Sequence, residues 1–229
     1  MKNILLIAGT GDSSAFLSQL PQDIAAVATT VSSLGADCIP KRDGIKVYTG
    51  SLNQEGFTAL LQEERCDFLV DMSHPFAVEV SFAARAAAQS VAVPYLRFLR
   101  EGYVDAKVNC RRFKDTQSAA EALNEISGNV LLTTGSKTVG ERCYLRVLSS
   151  SQVLSELEAL NIDAGHIFAM KGVASAALNI ALAKEINAAC IVAKDSGITG
   201  GIKEKIAAAK ALNIPLFLIN APAETGAVY

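Results

Sequence analysis

Two glycine-bearing loops are the places in this 229-residue chain where backbone and side chains could jointly meet an anion. Near the N-terminus, "IAGTGDSSAFL" puts Gly9 and Gly11 at the first two positions of a dinucleotide fingerprint, with Ser14 at the third, between an apolar run and a helical pattern. Glycine there permits a tight turn and close backbone approach to phosphate, and the helix start offers free N–H groups. Gly9, Thr10, Gly11, Asp12 and Ser13 are therefore the candidates for holding a cofactor pyrophosphate. Further along, "KDSGITGGIKEK" sets Lys194 and Asp195 at a strand end, where they could position a ligand or supply a proton. Ser196, Gly197, Gly200 and Gly201 follow as candidate ligand contacts. Lys203 and Lys205 fall in the first turns of the next helix, beside a buried face marked by Ile202, Ile206 and Ala209, and read either as partners of an external anion or as solvated surface.

Three other loops carry polar groups past apolar runs. "DMSHPFA" offers Asp71, Ser73 and His74, with Pro75 expected as the first residue of a helix. His74 is suited to proton donation or ligand contact near neutral pH; the alternative is a capping loop with its imidazole bonded to backbone. "LLTTGSKTVG" gathers Gly135, Ser136 and Lys137 as convergent donors, or as an exposed turn. Arg97 and Arg100 in "PYLRFLR" could grip carboxylates with bidentate forks or serve as interdomain ion pairs. The stretch "VATTVSSLG", where an NAD site usually has an acidic residue, has none, and Lys41 and Arg42 beyond it tilt the cofactor expectation towards NADPH over NADH. No GxSxG elbow is present, and two histidines with five cysteines that form no CxxC pair offer neither a hydrolase triad nor a metal site.

The elements that must position these loops alternate along the chain. Apolar runs such as "ILLIA", "DFLVDM", "NVLLTT", "CIVAK" and "PLFLIN" suit parallel strands buried on both faces, and the amphipathic segments between them suit crossover helices. "CDFLVDMSHPFAVEVSFAARAAAQSVAVPYLRF" and "CIVAKDSGITGGIKEKIAAAKALNIPLFLI" repeat one order of features: Cys, strand, polar loop, alanine-rich helix, x-Pro strand. The expected fold class is α/β, two Rossmann-like halves with mainly parallel sheets and an interdomain cleft, divided into 1–101 and 102–229. Ligands in such sheets bind beyond the carboxyl ends of the strands.

Composition sets the outer bounds. Half of the residues are hydrophobic, enough for a sizeable core, and a net charge of −2 from 21 basic and 23 acidic residues supplies no field for nucleic acid. The first apolar stretch is too short for a signal peptide and no segment approaches ~20 uninterrupted apolar residues, so a cytoplasmic protein with no membrane partner is expected. Oligomeric state is not legible.

The loops in order resemble the precorrin-6A reductase family of cobalamin biosynthesis, cobalt-precorrin-6A members included. "GTGD", "DMSHPFA", "PYLRFLR", "LLTTGSK", "MKGVASAALN" and, most specifically, "KDSGITGGIKEKIAAAKALNIPLFLI" carry the likeness. Ala8 stands where the family commonly has glycine, Ser73 where it has threonine, Gly172-Val173-Ala174-Ser175 where it has Gly-Pro-Phe-Ser, and Glu101 where a proline often stands. The resemblance implies hydride transfer from NADPH or NADH to a precorrin-6A-type tetrapyrrole, giving precorrin-6B or its cobalt form. A tetrapyrrole with several carboxylate arms needs scattered cationic and N–H donors, which Arg97, Arg100, Lys137 and Lys194 could supply, with Ser196, Gly197, Gly200 and Gly201 as further candidate contacts. His74, Lys137, Lys194 and Asp195 are the candidates for positioning and proton supply. A short-chain reductase is disfavoured because no tyrosine is followed by lysine in a Tyr-x-x-x-Lys pair. A dinucleotide-sensing protein without turnover is the rival from another class.

Overall fold

The computed structural model describes residues 2–100, 109–135 and 140–223, which fall into two compact units, one of residues up to Arg100 and one running to Pro222. The first contains β1 (Lys2–Ile7), α1 (Gly11–Gln19), β2 (Ile24–Thr30), α2 (Ser33–Ala36), β3 (Ile45–Thr49), α3 (Gln54–Glu63), β4 (Phe68–Asp71), α4 (Val78–Ser90) and β5 (Tyr95–Arg97). The second contains β6 (Cys110–Phe113), α5 (Thr116–Ala122), β7 (Asn129–Leu132), β8 (Cys143–Val147), α6 (Ser151–Ala159), β9 (Ile167–Ala169), α7 (Ala176–Glu185), β10 (Ala188–Lys194), α8 (Ile202–Leu212) and β11 (Leu216–Ile219).

The first sheet has the order β3-β2-β1-β4-β5 and the second β9-β8-β7-β10-β11-β6, with parallel pairing throughout. The repeat seen in the sequence is thus larger than the segment that revealed it, because both sheets have the doubly wound order 3-2-1-4-5. In the second, β6 takes the sixth place although it precedes β7 in the chain, and it pairs along Leu216–Ile219. Each order reverses next to its first strand, between β1 and β4 and between β7 and β10. Loops leaving the carboxyl ends of those strands must diverge there.

The apolar runs become central strands because both faces are covered. On β1, Leu5 and Ile7 pack with Phe57, Leu60 and Leu61 of α3 and the alanines Ala84, Ala87 and Ala88 of α4. Ile4 and Leu6 face the other way, onto Leu17, Leu20 and Ile39. In the second unit Ile191, Leu216 and Leu218 meet Ala183, Ile206, Ala208 and Ala209. Alanine stripes on α4 and α8 let the helices lie close to the sheet, while each fully buried leucine contributes about 1.5–3 kcal/mol. Burial also pushes the Cys66 and Cys190 thiols up, to about 11 and about 12, so they are protonated packing residues.

Two helix starts differ from the expectation. α4 begins at Val78 rather than Pro75, because the Ala77 N–H closes a turn onto the His74 carbonyl at 2.8 Å and helical bonding starts with Ser81 N–H to Ala77 O. α8 begins at Ile202 rather than near Gly200; a 3-10 turn over Ile198–Gly200 and a left-handed Gly201, φ +76°, come first. That glycine is required twice over, since a Cβ there would lie 2.4 Å from Val173 Cγ1. Gly201→Ala is expected to lower stability by about 2 kcal/mol or more in urea unfolding. Adding Val173→Ala should recover the steric part and not the backbone part; no recovery in the double variant would mean that Val173 does not confine this loop.

Candidate active site

In the first unit the loop after β1 closes on itself before entering α1. Thr10 Oγ1 accepts from Ser13 N–H at 3.3 Å, Ser13 Oγ accepts from Thr10 N–H at 3.1 Å, and Thr10 Oγ1 donates to the Met72 carbonyl at 3.1 Å. This capping box ties the β1 loop to the end of β4, across the point where the strand order reverses. Ser13 is buried, so its side chain shapes the loop rather than facing a ligand. Gly9 has φ +101°, and a Cβ built at Gly9 or Gly11 meets nothing within 4 Å. The glycine face is open while the hydroxyl face is spent on the cap. Asp12 pairs with Arg100 Nε at 2.7 Å, both side chains largely buried, which places Arg100 at the loop after β1.

The end of β4 is a polar knot. Asp71 is fully buried; its Oδ1 accepts from Arg97 Nη1 at 2.8 Å and Ser73 N–H at 2.9 Å, and its Oδ2 accepts from the Tyr95 hydroxyl at 2.7 Å. Arg97 Nη1 also reaches the Ser73 carbonyl and hydroxyl, at 3.1 and 3.0 Å. Arg97, expected as a substrate fork, is thus 5 % exposed and engaged within its own sheet. Parallel register sets Arg97 directly beside Asp71, and a buried carboxylate takes the nearest guanidinium. Burial and Asp71 push the Tyr95 phenol well above its ordinary range. His74 is half-buried, and its Nδ1 accepts from Phe76 N–H at 3.3 Å, which in the neutral ring leaves the proton on Nε2. Arg42 bonds the carbonyls of Leu20, Pro21 and Ile24 at the amino end of β2. It lies at the opposite end of that strand from a ribose site, so the tilt it gave towards a 2′-phosphate is withdrawn.

The second unit repeats the arrangement with different chemistry. Thr133, at the end of β7, donates to the Val192 carbonyl at 2.8 Å, and Gly135 follows with φ +92°. Ser136 and Lys137 lie outside the described residues. β10 delivers Lys194, half-buried, and then Asp195, whose N–H continues the ladder to Ile219 O at 2.8 Å. Asp195 is 8 % exposed; Oδ2 accepts from Arg112 Nη1 at 2.8 Å, Arg112 also reaches Asn220 Oδ1 at 2.9 Å, and Asp195 Oδ1 has no partner among the described residues. Ser196 is buried beside it, its hydroxyl 3.5 Å from the Gly200 carbonyl. Gly197, φ +74°, and Gly201 shape the loop.

Lys205 overturns the solvated alternative. It is 4 % exposed, and its Nζ donates to the Gly200 carbonyl at 2.9 Å, folding the first turn of α8 back onto the glycine loop. Burial, with Arg146 nearby, pushes its ammonium down to about 8. Its spacing gave the clue, three residues after Ile202 and four before Ala209, in the apolar stripe. Arg112, Arg146 and Asn179 also escaped notice; the signal for the last two was a charge inside the apolar strand "CYLRV" and an amide inside the apolar helix "AALNIALA". Among the described residues no group of His, Cys, Asp and Glu side chains is placed to hold a metal ion, and no helix is long and apolar enough to cross a membrane.

Residues 3–229 match the family model described as precorrin-6x reductase CbiJ/CobK. The chain is 32% identical over 238 residues to a cobalt-precorrin-6A reductase of Priestia megaterium, covering 99% of this chain and 93% of the relative. It is 30% identical over 231 residues to one of Methanothermobacter thermautotrophicus, covering 96% and 76%. A solved structure titled CobK precorrin-6A reductase superposes with a TM-score of 0.76 at 20% identity, over 99% of this chain and 91% of that one, a likeness of fold.

The Lys205 geometry has a consequence for stability against pH. The folded chain holds this lysine at about 8 against 10.5 for the free side chain, so folding favours the neutral amine. Its contribution is full above 10.5 and lost as the pH falls through about 8. The stability of the wild type relative to Lys205→Met should therefore rise by up to about 3 kcal/mol between those limits. Chemical denaturation at several pH values reads it, and a difference that stays flat would contradict the buried placement.

Proposed function

The chain belongs to the precorrin-6x reductase family, and on that premise we propose that it reduces a precorrin-6A-type macrocycle with NADPH or NADH, giving precorrin-6B or its cobalt form in cobalamin biosynthesis. The nicotinamide, when bound, supplies the hydride. The observation that carries the cofactor half of this reading is the open glycine face at the reversal point of the first sheet. Gly9 and Gly11 present backbone with no neighbour within 4 Å of where side chains would stand, at the start of a capped nine-residue helix. Gly9 to Gly11 would hold the pyrophosphate, with Thr10 and Ser13 keeping the loop in shape and Arg100 offsetting the charge of Asp12. The names of the two relatives favour the cobalt form of the substrate.

The chain's own work is to bind, orient and deliver a proton to the carbon next to the reduced one. His74 is proposed for that proton, because its Nδ1 accepts from backbone, which puts the neutral ring's proton on Nε2. Lys137, Lys194, Asp195, Ser196 and the Gly197–Gly201 loop are proposed to position the macrocycle. Arg97 is assigned to Asp71 instead, and its place among the substrate contacts is given up.

Purified protein mixed with precorrin-6A, metal-free or cobalt-loaded, should oxidise NADPH or NADH, followed at the nicotinamide absorbance. Tight cofactor binding without oxidation of either substrate would replace this reading with that of a dinucleotide sensor. Gly11→Val fills the open face without touching the core; it should raise the cofactor Kd about tenfold or more and leave the melting temperature within about 2 °C of wild type. Unchanged affinity would move the cofactor off this loop.

A further inference from the structure

The alternation along β8 sends Cys143, Leu145 and Val147 to one face and Tyr144 and Arg146 to the other. Arg146 is half-buried there, and its Nη1 donates to Asn179 Oδ1 at 2.7 Å. Asn179, fully buried in the first turn of α7, is itself fixed, since its amide nitrogen donates to the carbonyls of Ala174 at 3.0 Å and Ser175 at 2.9 Å. The Asn179 oxygen can therefore face only one way, and it holds the guanidinium by one of its five donors. No carboxylate pairs with Arg146 among the described residues.

A second cation stands close by. Arg146 acts on the Lys205 ammonium strongly enough to help depress it, and Lys205 spends Nζ on the Gly200 carbonyl rather than on an acid. The negative group acting on Lys205 is Glu204, which forms no ion pair with either cation, and its buried Oε2 has no hydrogen-bond partner among the described residues. Two cations and one carboxylate thus share this part of the second unit, net positive and without an ion pair. Charge withdrawn from water without a partner costs several kcal/mol, and an arginine with unused planar donors is matched by a carboxylate or phosphate oxyanion.

We propose that Arg146, oriented by Asn179 and backed by Lys205, is an oxyanion subsite of the second unit that binds one acidic side arm of the tetrapyrrole. The proposal rests on the reductase reading for the identity of the ligand. The carboxylate is preferred to a cofactor phosphate because the open glycine face expected to take phosphate is in the first unit. Asn179 is a positioning residue in this scheme; the contact is made by Arg146.

Arg146→Gln and Arg146→Lys are titrated with cobalt-precorrin-6A in the absence of cofactor, by absorbance, and separately with NADPH, by fluorescence. Arg146→Gln should weaken tetrapyrrole binding tenfold or more, Arg146→Lys by an intermediate factor, and neither should change NADPH affinity beyond twofold. In turnover the loss should appear chiefly in KM. Should Arg146→Gln fail to fold, Arg146→Lys retains the charge and loses the fork, and its tetrapyrrole affinity decides the matter. Wild-type tetrapyrrole affinity in a folded variant overturns the subsite, and weakened NADPH binding with intact tetrapyrrole binding reassigns the oxyanion and overturns it equally. A wild-type protein that binds no tetrapyrrole sinks the reductase reading itself, which distinguishes that failure from the failure of the subsite.

Discussion

A parallel strand covered on both faces can place a polar side chain only near its ends, and that constraint organises this protein. The inner residues of β1, β7, β10 and β11 are buried. Their backbone groups are satisfied by the ladder, and any polar side chain within them would need a partner of its own. Polarity is consequently pushed to the carboxyl ends, where Asp71 and Asp195 stand. Asp71 shows how demanding even that position is. With no exposure at all it takes three donors, from Arg97, Ser73 and Tyr95, and loss of one partner from such a pair typically costs 3–5 kcal/mol.

The duplicated topology makes the two carboxylates comparable. Asp71 follows Cys66 by five residues and Asp195 follows Cys190 by five, each at the exit of the strand that flanks the reversal of its sheet. Their surroundings have diverged. In the first unit the carboxylate is saturated and the neighbouring loop offers bare backbone, so under the proposed function recognition there would rest on glycine and N–H groups. In the second the carboxylate keeps one oxygen without a partner among the described residues, and cationic side chains gather around the loop. One scaffold thereby presents open backbone in one unit and cationic side chains in the other, a division that the proposed function would use for two dissimilar ligands. A net charge of −2 is compatible with an anion site for the same reason, because what matters is uncompensated local charge.

The features legible in the sequence were those with local causes. Apolar runs of four to seven residues between helical patterns specify a parallel α/β fold, and glycines beside strand ends specify the loops. The short, charged β6, "CRRF", has no such signature; its place comes from pairing with β11, whose residues lie about a hundred positions later in the chain. The side-chain roles that went astray were decided in the same non-local way. Arg97 is drawn to Asp71 by register across two strands, and Arg42 is drawn to three carbonyls at the far end of β2. Lys205 differs, because its helical spacing put it in the apolar stripe; the habit of assigning lysine to solvent concealed a residue whose position was readable.

The burial of Lys205 follows from the loop it serves. Gly197 and Gly201, both at positive φ, let the chain turn sharply between β10 and α8, and the 3-10 turn between them leaves the Gly200 carbonyl directed where Lys205 can reach it. An unbonded buried carbonyl costs about 1–3 kcal/mol, and a neutral donor of the right length would remove that cost more cheaply than an ammonium. The ammonium carries an additional desolvation penalty, and repulsion from Arg146 disfavours it further. Structure alone would therefore select against lysine here, and sites that forgo stability in this way are where a fold accommodates function. An oxyanion beside Arg146 would relieve the repulsion that depresses Lys205, so the same ammonium would both hold the glycine loop and strengthen as a donor when the ligand arrives.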